Sequence, residues 1–575
     1  MHDHDETPLS PAELADVRRR GDIELAKLGF SRRRILQAGA AAAAVSAVGG
    51  VTLAPQIQAA AATNDVDPDE LQWLVGDHHV HTQYSHDAKY RIKDQLDAAE
   101  HFGVDWIVFT EHSNFQHADP GVFNSLEEIK AEREARPDLL IFQGIEWYIP
   151  AAEHCTVFVT GENEAEILRA FELVYDGKLN GWEKPDYGTP EEAFQEQKAA
   201  EAIAWLGRQK RAGEIDDALI IANHPMRYGI DAPDEFRLWN DADPDIMIGM
   251  EGAPGAQGYA YGRNVWDSDQ RGEYSNQPRP DTFPDFTVET LRTYGGWDWM
   301  TATVGGFWDS MLAEGRPFYI TANSDSHLTS WHTWRLGDYP DTDEFNNAPN
   351  ESEQMRLLDG RRPHPIDTHT GEIAGELMVT DVDGSTVISG DLIRSRIDAD
   401  RFRAAEQTRA EVEAATAEGE DPQYPHPLMQ TQGGSDFWPG QFTRIHTGVT
   451  ERIYQGVMDA LRAGRVWADH GRLLEGFVVK VATDGATPAT LGGRLRAPRG
   501  GSVTVEMTIT TTSTPVRYID MSTEDPDGVD PTVAVERVPE LAFIDIIGGP
   551  VTGAVADPDT HVAPLTKVLQ SFDTL

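Results

Sequence analysis

The chain has 575 residues, too many for one ordinary domain and enough for two or three, and its 40% hydrophobic content is that of a globular protein with a sizeable core. Its 48 Lys and Arg stand against 96 Asp and Glu, a formal net charge of −48, and such a field repels nucleic-acid backbones and anionic membrane surfaces, so no nucleic-acid partner is expected. Cys155 is the sole cysteine, which excludes an intrachain disulfide and a cysteine-based zinc or iron–sulfur centre.

In chain order, the first segment reads as a processing signal rather than as fold. Ser31-Arg32-Arg33-Arg34-Ile35-Leu36-Gln37 resembles the twin-arginine export motif. An Ala- and Gly-rich apolar stretch follows from Ala38 to Ala54, then small residues suited to cleavage at Gln58–Ala62. The stretch is shorter than the ~20 strongly apolar residues of a membrane span, so no stable span is expected in the mature form. The resemblance implies the twin-arginine export machinery as a partner, and a periplasmic, cell-wall or extracellular location.

From Leu71 to about Leu328, short apolar runs alternate with helical stretches. Strands are expected at 106–110, 139–142, 218–222, 246–250 and 318–321, and helices at 92–102, 125–135 and 191–212. That alternation points to parallel βα units and an α/β barrel-like fold, whose chemistry sits at the C-terminal ends of its strands. A polar stretch from about 336 carries a charged helical segment at 398–417, and core-like sequence returns at 437–471 with a helix over 453–463. Beyond Gly471, β-rich runs at 477–481, 502–510 and 542–547, divided by Gly, Pro and Asp turns, read as a small β-sandwich-like domain. The expected organisation is a signal peptide at 1–62, a barrel at 70–335, a polar insertion at 336–432, a return to the barrel core at 433–471 and a C-terminal β-rich domain at 472–575.

Five segments carry the candidate chemistry, each at or after an expected strand. They are Asp77-His78-His79-Val80-His81 with Ser85-His86-Asp87, Thr110-Glu111-His112, Gly144-Ile145-Glu146 with Glu153-His154, Asn223-His224-Pro225, and Asn323-Ser324-Asp325-Ser326-His327. His79 and His81 are two residues apart, so an extended strand puts both imidazoles on one face, where they can hold one divalent ion. Any one segment is unspecific. Five in series are hard to reconcile with a metal-free core, because burying that many polar groups carries a large desolvation cost.

The series His-x-His, Thr-Glu-His, Gly-x-Glu, His-Pro and Ser-Asp-x-His resembles the polymerase and histidinol phosphatase (PHP) family of metallohydrolases, over Gly76 to about His327. The resemblance implies a distorted (β/α)7 TIM-like barrel with two or three divalent ions, Mn, Zn or Fe, at the strand ends. It implies His79, His81, Glu146 and Asp325 as ligands of one ion, Glu146, His154 and His224 of a second, and Asp87, His112 and His327 of a third. Glu111 stands where the family often has Asp, and His86 can take the part of Asp87. Ala460–Gly471, followed by the β-rich tail, looks like the secreted branch of this family that includes aryl carbamate (carbaryl) hydrolases.

The implied function is an exported hydrolase of phosphoester bonds, in which a bridging hydroxide near Glu146 attacks the substrate and His112, His224 or His327 assists the leaving group. Arg227, Arg263 and Arg335 are the candidate phosphate binders, since the guanidinium fork matches phosphate oxygens. Tyr259, Tyr261, Trp266, Trp297, Trp299, Trp308, Trp331 and Trp334 are candidate walls of an apolar or sugar-binding cleft, though core packing also accounts for such residues. Cys155 and His470 read as structural, and Ser85 and Ser326 as turn or supporting residues. Two alternatives stay open. One is a carboxyl-ester or carbamate hydrolase on the same metal centre, favoured by the scarcity of cations; the other is a non-catalytic exported metal- or ligand-binding protein.

Overall fold

The structure, a computed structural model, describes residues 66–327 and 438–574 except for 83, 86–87, 89–91, 114–116, 183, 256–277, 292, 295, 514–515 and 520–533, and adds the backbone of 377–379 and 386–388. The leader, and the polar insertion apart from that backbone, lie outside the described residues.

Residues 72–470 contribute a nine-stranded sheet in the order β13-β12-β1-β2-β3-β4-β5-β6-β9. Its strands are β1 (Gln72–Val80), β2 (Trp106–His112), β3 (Leu140–Tyr148), β4 (His154–Thr160), β5 (Asp217–Asn223), β6 (Met247–Ala253), β9 (Tyr319–Ala322), β12 (Thr443–Val449) and β13 (Val466–His470). Between β6 and β9 lies the short pair β7 (Thr293–Tyr294) and β8 (Trp297–Asp298), and the isolated pair β10 (Leu377–Val379) and β11 (Thr386–Ile388) precedes β12. Past β9 the chain bridges to β1 at Ser326 and Val80, and the His81 N–H donates to the Ser326 carbonyl at 2.9 Å. The sheet thus curls round until its last parallel strand meets its first, forming the α/β barrel expected from the strand–helix alternation.

Every residue of β2, β5 and β6 is buried. This explains why these strands read as apolar runs rather than as alternating ones, for a barrel strand faces core on both sides. Helices lie between them, at Ile92–His101, Val122–Ala135, Glu164–Tyr175, Pro190–Ala212 and Pro233–Ala242. The longest, Pro190–Ala212, starts at Thr189, whose hydroxyl accepts the Glu192 N–H, with Pro in the first turn; it stops at Gly213, which adopts φ +75°. Beneath the site, Leu74, Trp106, Val108, Phe142, Phe158, Leu219, Ile221, Ile248 and Ile445 form one cluster with Val457, Met458 and Leu461 of the helix Tyr454–Arg462. Gly76 is part of that close packing: a Cβ there would meet the Trp106 ring at 1.8 Å.

β12 runs antiparallel to β1 and β13, and two further features beside the site depart from simple βα repetition. β4 runs antiparallel to both neighbours, pairing His154 with Tyr148 on one side and with Asn223 on the other. Sequence reading left this strand out. Its reversed direction brings its first residue to the same end of the barrel as the last residues of β3 and β5. The second feature is a bulge in β1: the four residues from Asp77 to Val80 span three of β2, Ile107 to Phe109. Bulges of this kind re-aim side chains beside functional sites.

The C-terminal β-rich part consists of antiparallel ladders, β14 (Leu474–Ala482) with β15 (Thr504–Thr511), β16 (Val516–Ile519) with β17 (Ala534–Arg537), and β18 (Phe543–Gly548) with β19 (Lys567–Asp573). The connection between β18 and β19 packs on the barrel. Arg237 donates to the Pro558 carbonyl at 2.7 Å, the Ala563 N–H to the Gly305 carbonyl at 2.8 Å, and the Thr552 N–H to the Ala313 carbonyl at 2.7 Å. His561 sits among Phe283, Phe286 and Trp299. Among the described residues no helix is long and apolar enough to cross a membrane.

Candidate metal centre

The strand ends deliver the candidate ligands to one place. His79 is near the end of β1 and His81 just past it; His112 ends β2 and pairs in register with Glu146 of β3. His154 opens β4, His224 follows β5, and Asp325 and His327 follow β9. All eight are buried, each with 4% exposure or less. Asp87, together with His86, lies outside the described residues.

Glu146 is the hub. Its Oε1 lies 3.2 Å from His79 Nε2, 3.0 Å from His154 Nδ1 and 2.9 Å from His224 Nε2. Its Oε2 lies 3.3 Å from His81 Nε2 and 3.0 Å from His112 Nδ1. Asp325 Oδ1 lies 3.1 Å from His79 Nε2, 3.6 Å from His81 Nε2 and 3.3 Å from His327 Nδ1. The donor atoms of His81, His112 and His327 also lie within 4.8 Å of one another, and the His81 and His327 rings stack at 3.8 Å.

These separations bear on what the cluster can hold. His79 gives its Nδ1 side to Glu251 at 2.8 Å and His81 gives its Nδ1 side to Ser85 at 2.9 Å, so in their neutral forms the two Nε2 atoms would present lone pairs to each other at 3.0 Å. Two facing lone pairs repel unless a cation lies beside them. Donors bound ~2.1 Å from one ion stand roughly 3.0–3.4 Å apart, and His79 and His81 lie 3.0–3.6 Å from each other, from Glu146 and from Asp325. The mixed imidazole and carboxylate set suits Mn, Zn or Fe. The residues present therefore fit divalent ions.

Electrostatics follow from burial and mutual charge. Burial, the largest influence on His79, pulls its pKa down, but Asp325, Glu146 and Glu251 together carry it well above the ordinary value. Burial pushes Glu146 and Asp325 up, yet the surrounding imidazoles hold both well below the usual carboxylate range. For His154 burial wins over Glu146, and its pKa falls to about 3, leaving a neutral ring with a lone pair to offer.

Supporting groups fix these rings. The Ser85 hydroxyl donates to Glu111 at 2.7 Å and accepts the His112 N–H at 3.0 Å, so it braces two histidines and is tied up as a nucleophile. Asn223 donates to Glu146 Oε1 at 3.1 Å. Gln95 bonds the His81 carbonyl and the Ser326 hydroxyl. Glu251, near the end of β6, accepts from His79 and, at 2.6 Å, from the His224 backbone N–H. His224 and Asp325 both adopt positive φ, +28° and +47°, a conformation uncommon outside glycine and frequent where a site dictates side-chain direction.

Of the candidate phosphate binders, Arg227 is buried at the edge of the cluster. Its Nη1 is paired with Glu153 Oε2 at 3.2 Å, and that oxygen stands 3.7 Å from His224 and 4.0 Å from His154. Arg263 and Arg335 lie outside the described residues. So do Tyr259, Tyr261, Trp266, Trp331 and Trp334. Trp299 and Trp308 serve packing: Trp299 faces Phe286 and His561, and Trp308 donates to the Phe318 carbonyl. Trp297 lies 6.3 Å from His470, a ring that bonds Thr443 and that burial keeps neutral, with a pKa near 3. Cys155 is buried, which pushes its thiol pKa well up.

Sequence reading missed Glu251, Tyr148 and Lys178. The Tyr148 ring stacks on His112 at 5.6 Å and meets His154 edge-on at 4.3 Å, and Lys178 Nζ lies 4.8 Å above it. For Glu251 a signal was present, a carboxylate just past the expected strand 246–250, on the barrel end where chemistry sits. Tyr148 and Lys178 carried none, since only the reversed strand brings the tyrosine against His154.

Residues 77–242 match the family model of the PHP domain. No curated protein matches the chain. Among solved structures, a two-domain protein from Bacteroides vulgatus containing a predicted PHP-like metal-dependent phosphoesterase is similar, at 14% sequence identity and a TM-score of 0.28, covering 88% of this chain and 96% of that one. A superposition that loose says nothing about individual residues of the site.

Proposed function

We propose that the protein is a metal-dependent hydrolase of phosphoester bonds. The observation that carries this reading is the single carboxylate, Glu146, ringed within 3.3 Å by nitrogens of His79, His81, His112, His154 and His224. His79, His81, Glu146 and Asp325 would hold one ion; Glu146, His154 and His224 a second; His112 and His327 a third. Divalent ions held there would acidify a water and stabilise charge on attacking and leaving oxygens, chemistry that suits in-line displacement at phosphorus.

The chain's own groups prepare for that chemistry. Glu146 stays ionised and faces both ends of the cluster, so it can bridge neighbouring positions. His154 is neutral and offers a lone pair. Ser85 and Glu251 turn the Nε2 faces of His81 and His79 inwards. Tyr148 walls the side of His112 and His154, and Lys178 above it supplies a positive charge near that wall.

A second reading, hydrolysis of an uncharged carboxyl ester or carbamate, rests on Arg227. Its charge is matched by Glu153, so this guanidinium is already engaged where a phosphate would have to recruit it. The test is nitrophenol release by the manganese-reconstituted protein from p-nitrophenyl phosphate, its diester and p-nitrophenyl acetate, with a chelator control. Chelator-sensitive turnover of either phosphate ester is expected. Turnover of the acetate alone would replace the first reading with the second, and inactivity on all three would leave a binding protein.

The Ser31–Gln37 pattern supports export by the twin-arginine route, and with it a place in the periplasm, the cell wall or the medium.

A further inference from the structure

Glu251 sits at 0% exposure on β6 and touches two candidate ligands of different ion positions. Its Oε1 lies 2.8 Å from His79 Nδ1, and its Oε2 accepts the backbone N–H of His224 at 2.6 Å. The two partners are unequal. A backbone N–H can only donate, so the oxygen facing His224 must accept. An imidazole nitrogen donates or accepts according to tautomer, so His79 takes whichever form Glu251 allows.

We infer that Glu251 is a positioning residue that sets the tautomer of His79, and thereby decides whether the ion position shared by His79, His81, Glu146 and Asp325 can be filled. This rests on the metal-dependent reading above. With a carboxylate at 251 both oxygens accept and His79 donates from Nδ1, which leaves its Nε2, 3.0 and 3.1 Å from His81 and Asp325, as the nitrogen available to an ion. The same carboxylate pins the His224 backbone at its positive φ, which aims His224 Nε2 at Glu146. One side chain thus holds a ligand on each side of the bridging glutamate, without facing either ion position itself.

The geometry makes an unusual demand of the isostere. In Glu251→Gln the amide oxygen must stay on the His224 N–H, since an amide N–H there would meet another donor. The amide NH2 then faces His79 Nδ1 and forces the tautomer protonated at Nε2, placing a proton where the ion is to bind. Glu251→Ala leaves room for water, which accepts as readily as it donates, so His79 keeps its productive tautomer. The isosteric change is therefore the more damaging of the two, the reverse of what a packing role would give.

The experiment measures bound manganese and zinc per chain after dialysis, and the visible bands of the cobalt-loaded protein, for the full chain and both variants. E251Q is expected to hold one ion fewer than the wild type, and E251A more than E251Q. Equal ion counts in wild type and E251Q, or a lower count in E251A than in E251Q, would overturn the role of Glu251 while leaving a metal centre in place. A wild type that takes up no ion would overturn the metal reading itself, and the role of Glu251 with it. Should E251Q not fold, imidazole nitrogen NMR of the zinc-loaded wild type, assigned with H79Q, gives the same answer. A proton on His79 Nδ1 upholds the assignment and a proton on Nε2 overturns it.

Discussion

Glu146 makes the cluster a unit rather than a crowd of histidines, because each of its oxygens is shared by more than one imidazole. Replacing it with Gln removes the charge and turns one of the two shared acceptor oxygens into a donor. Both Glu146→Gln and Asp325→Asn are expected to lower turnover on the order of 10³-fold or more, as loss of a group that stabilises charge at a reacting centre does. Without ions, both variants should melt below the wild type, since the imidazoles around Glu146 and Asp325 stabilise their charged forms. Steady-state rates and melting in chelator check this. Retained activity in both variants would sink the metal mechanism. Most of these residues were legible in the sequence, because ligand pairs such as His79 and His81 or Asp325 and His327 advertise themselves by spacing. Glu251 and Tyr148 were harder to see, since their roles depend on partners 172 and 6 residues away that only the barrel brings together.

At the scale of elements, the parallel strands were readable because burial on both faces leaves continuous apolar runs. β4 was not, because His154-Cys155-Thr156 opens with polar residues that answer to the site and to its neighbours rather than to any period. The helices Glu164–Tyr175 and Pro233–Ala242 also escaped. Glu172, Arg169, Glu235 and Arg237 are buried in them, so their polar residues do not mark an outer face. The edge pair β12–β13 carries a titrating group of its own. His446 stacks on Trp467 at 3.5 Å, and burial, aided by Arg444, lowers its pKa to about 2. In the unfolded chain it titrates near the ordinary 6.5. The folded state's pKa is the lower one, so the contribution of His446 is complete above pH 6.5 and erodes as pH falls towards 2. The limiting slope is about 1.4 kcal/mol per pH unit for one proton. His446→Phe keeps the stack and removes the proton, so urea unfolding between about pH 6 and pH 4 should lose that much of its slope. An unchanged acid limb would show that His446 does not govern it.

Across the whole molecule, the strap between β18 and β19 ties the C-terminal ladders to the barrel. Its His561 lies ~6 Å from three barrel rings. His561→Ala should cost about 1–2 kcal/mol of barrel stability, read by tryptophan fluorescence in denaturant. A barrel that unfolds at an unchanged midpoint would make the strap a passenger. This attachment was not legible in advance, because a Pro-, Asp- and Thr-rich turn reads simply as loop. The other end of the chain makes a separate claim: with Arg32→Lys and Arg33→Lys together, the protein should stay in the cytoplasm and keep its leader. Fractionation that still finds processed protein outside would remove the twin-arginine reading.

The lone thiol, finally, gives this barrel a built-in clock. Cys155 is 1% exposed and lies between the two strands that β4 joins, one residue from His154. A thiol reagent reaches it only when β4 opens, so the labelling rate times the breathing of a strand that runs against both its neighbours. Ions that draw His154 to Glu146 should slow that clock by the Boltzmann factor of their binding energy. A labelling rate that does not respond to added metal would mean that β4 opens without disturbing the centre at all.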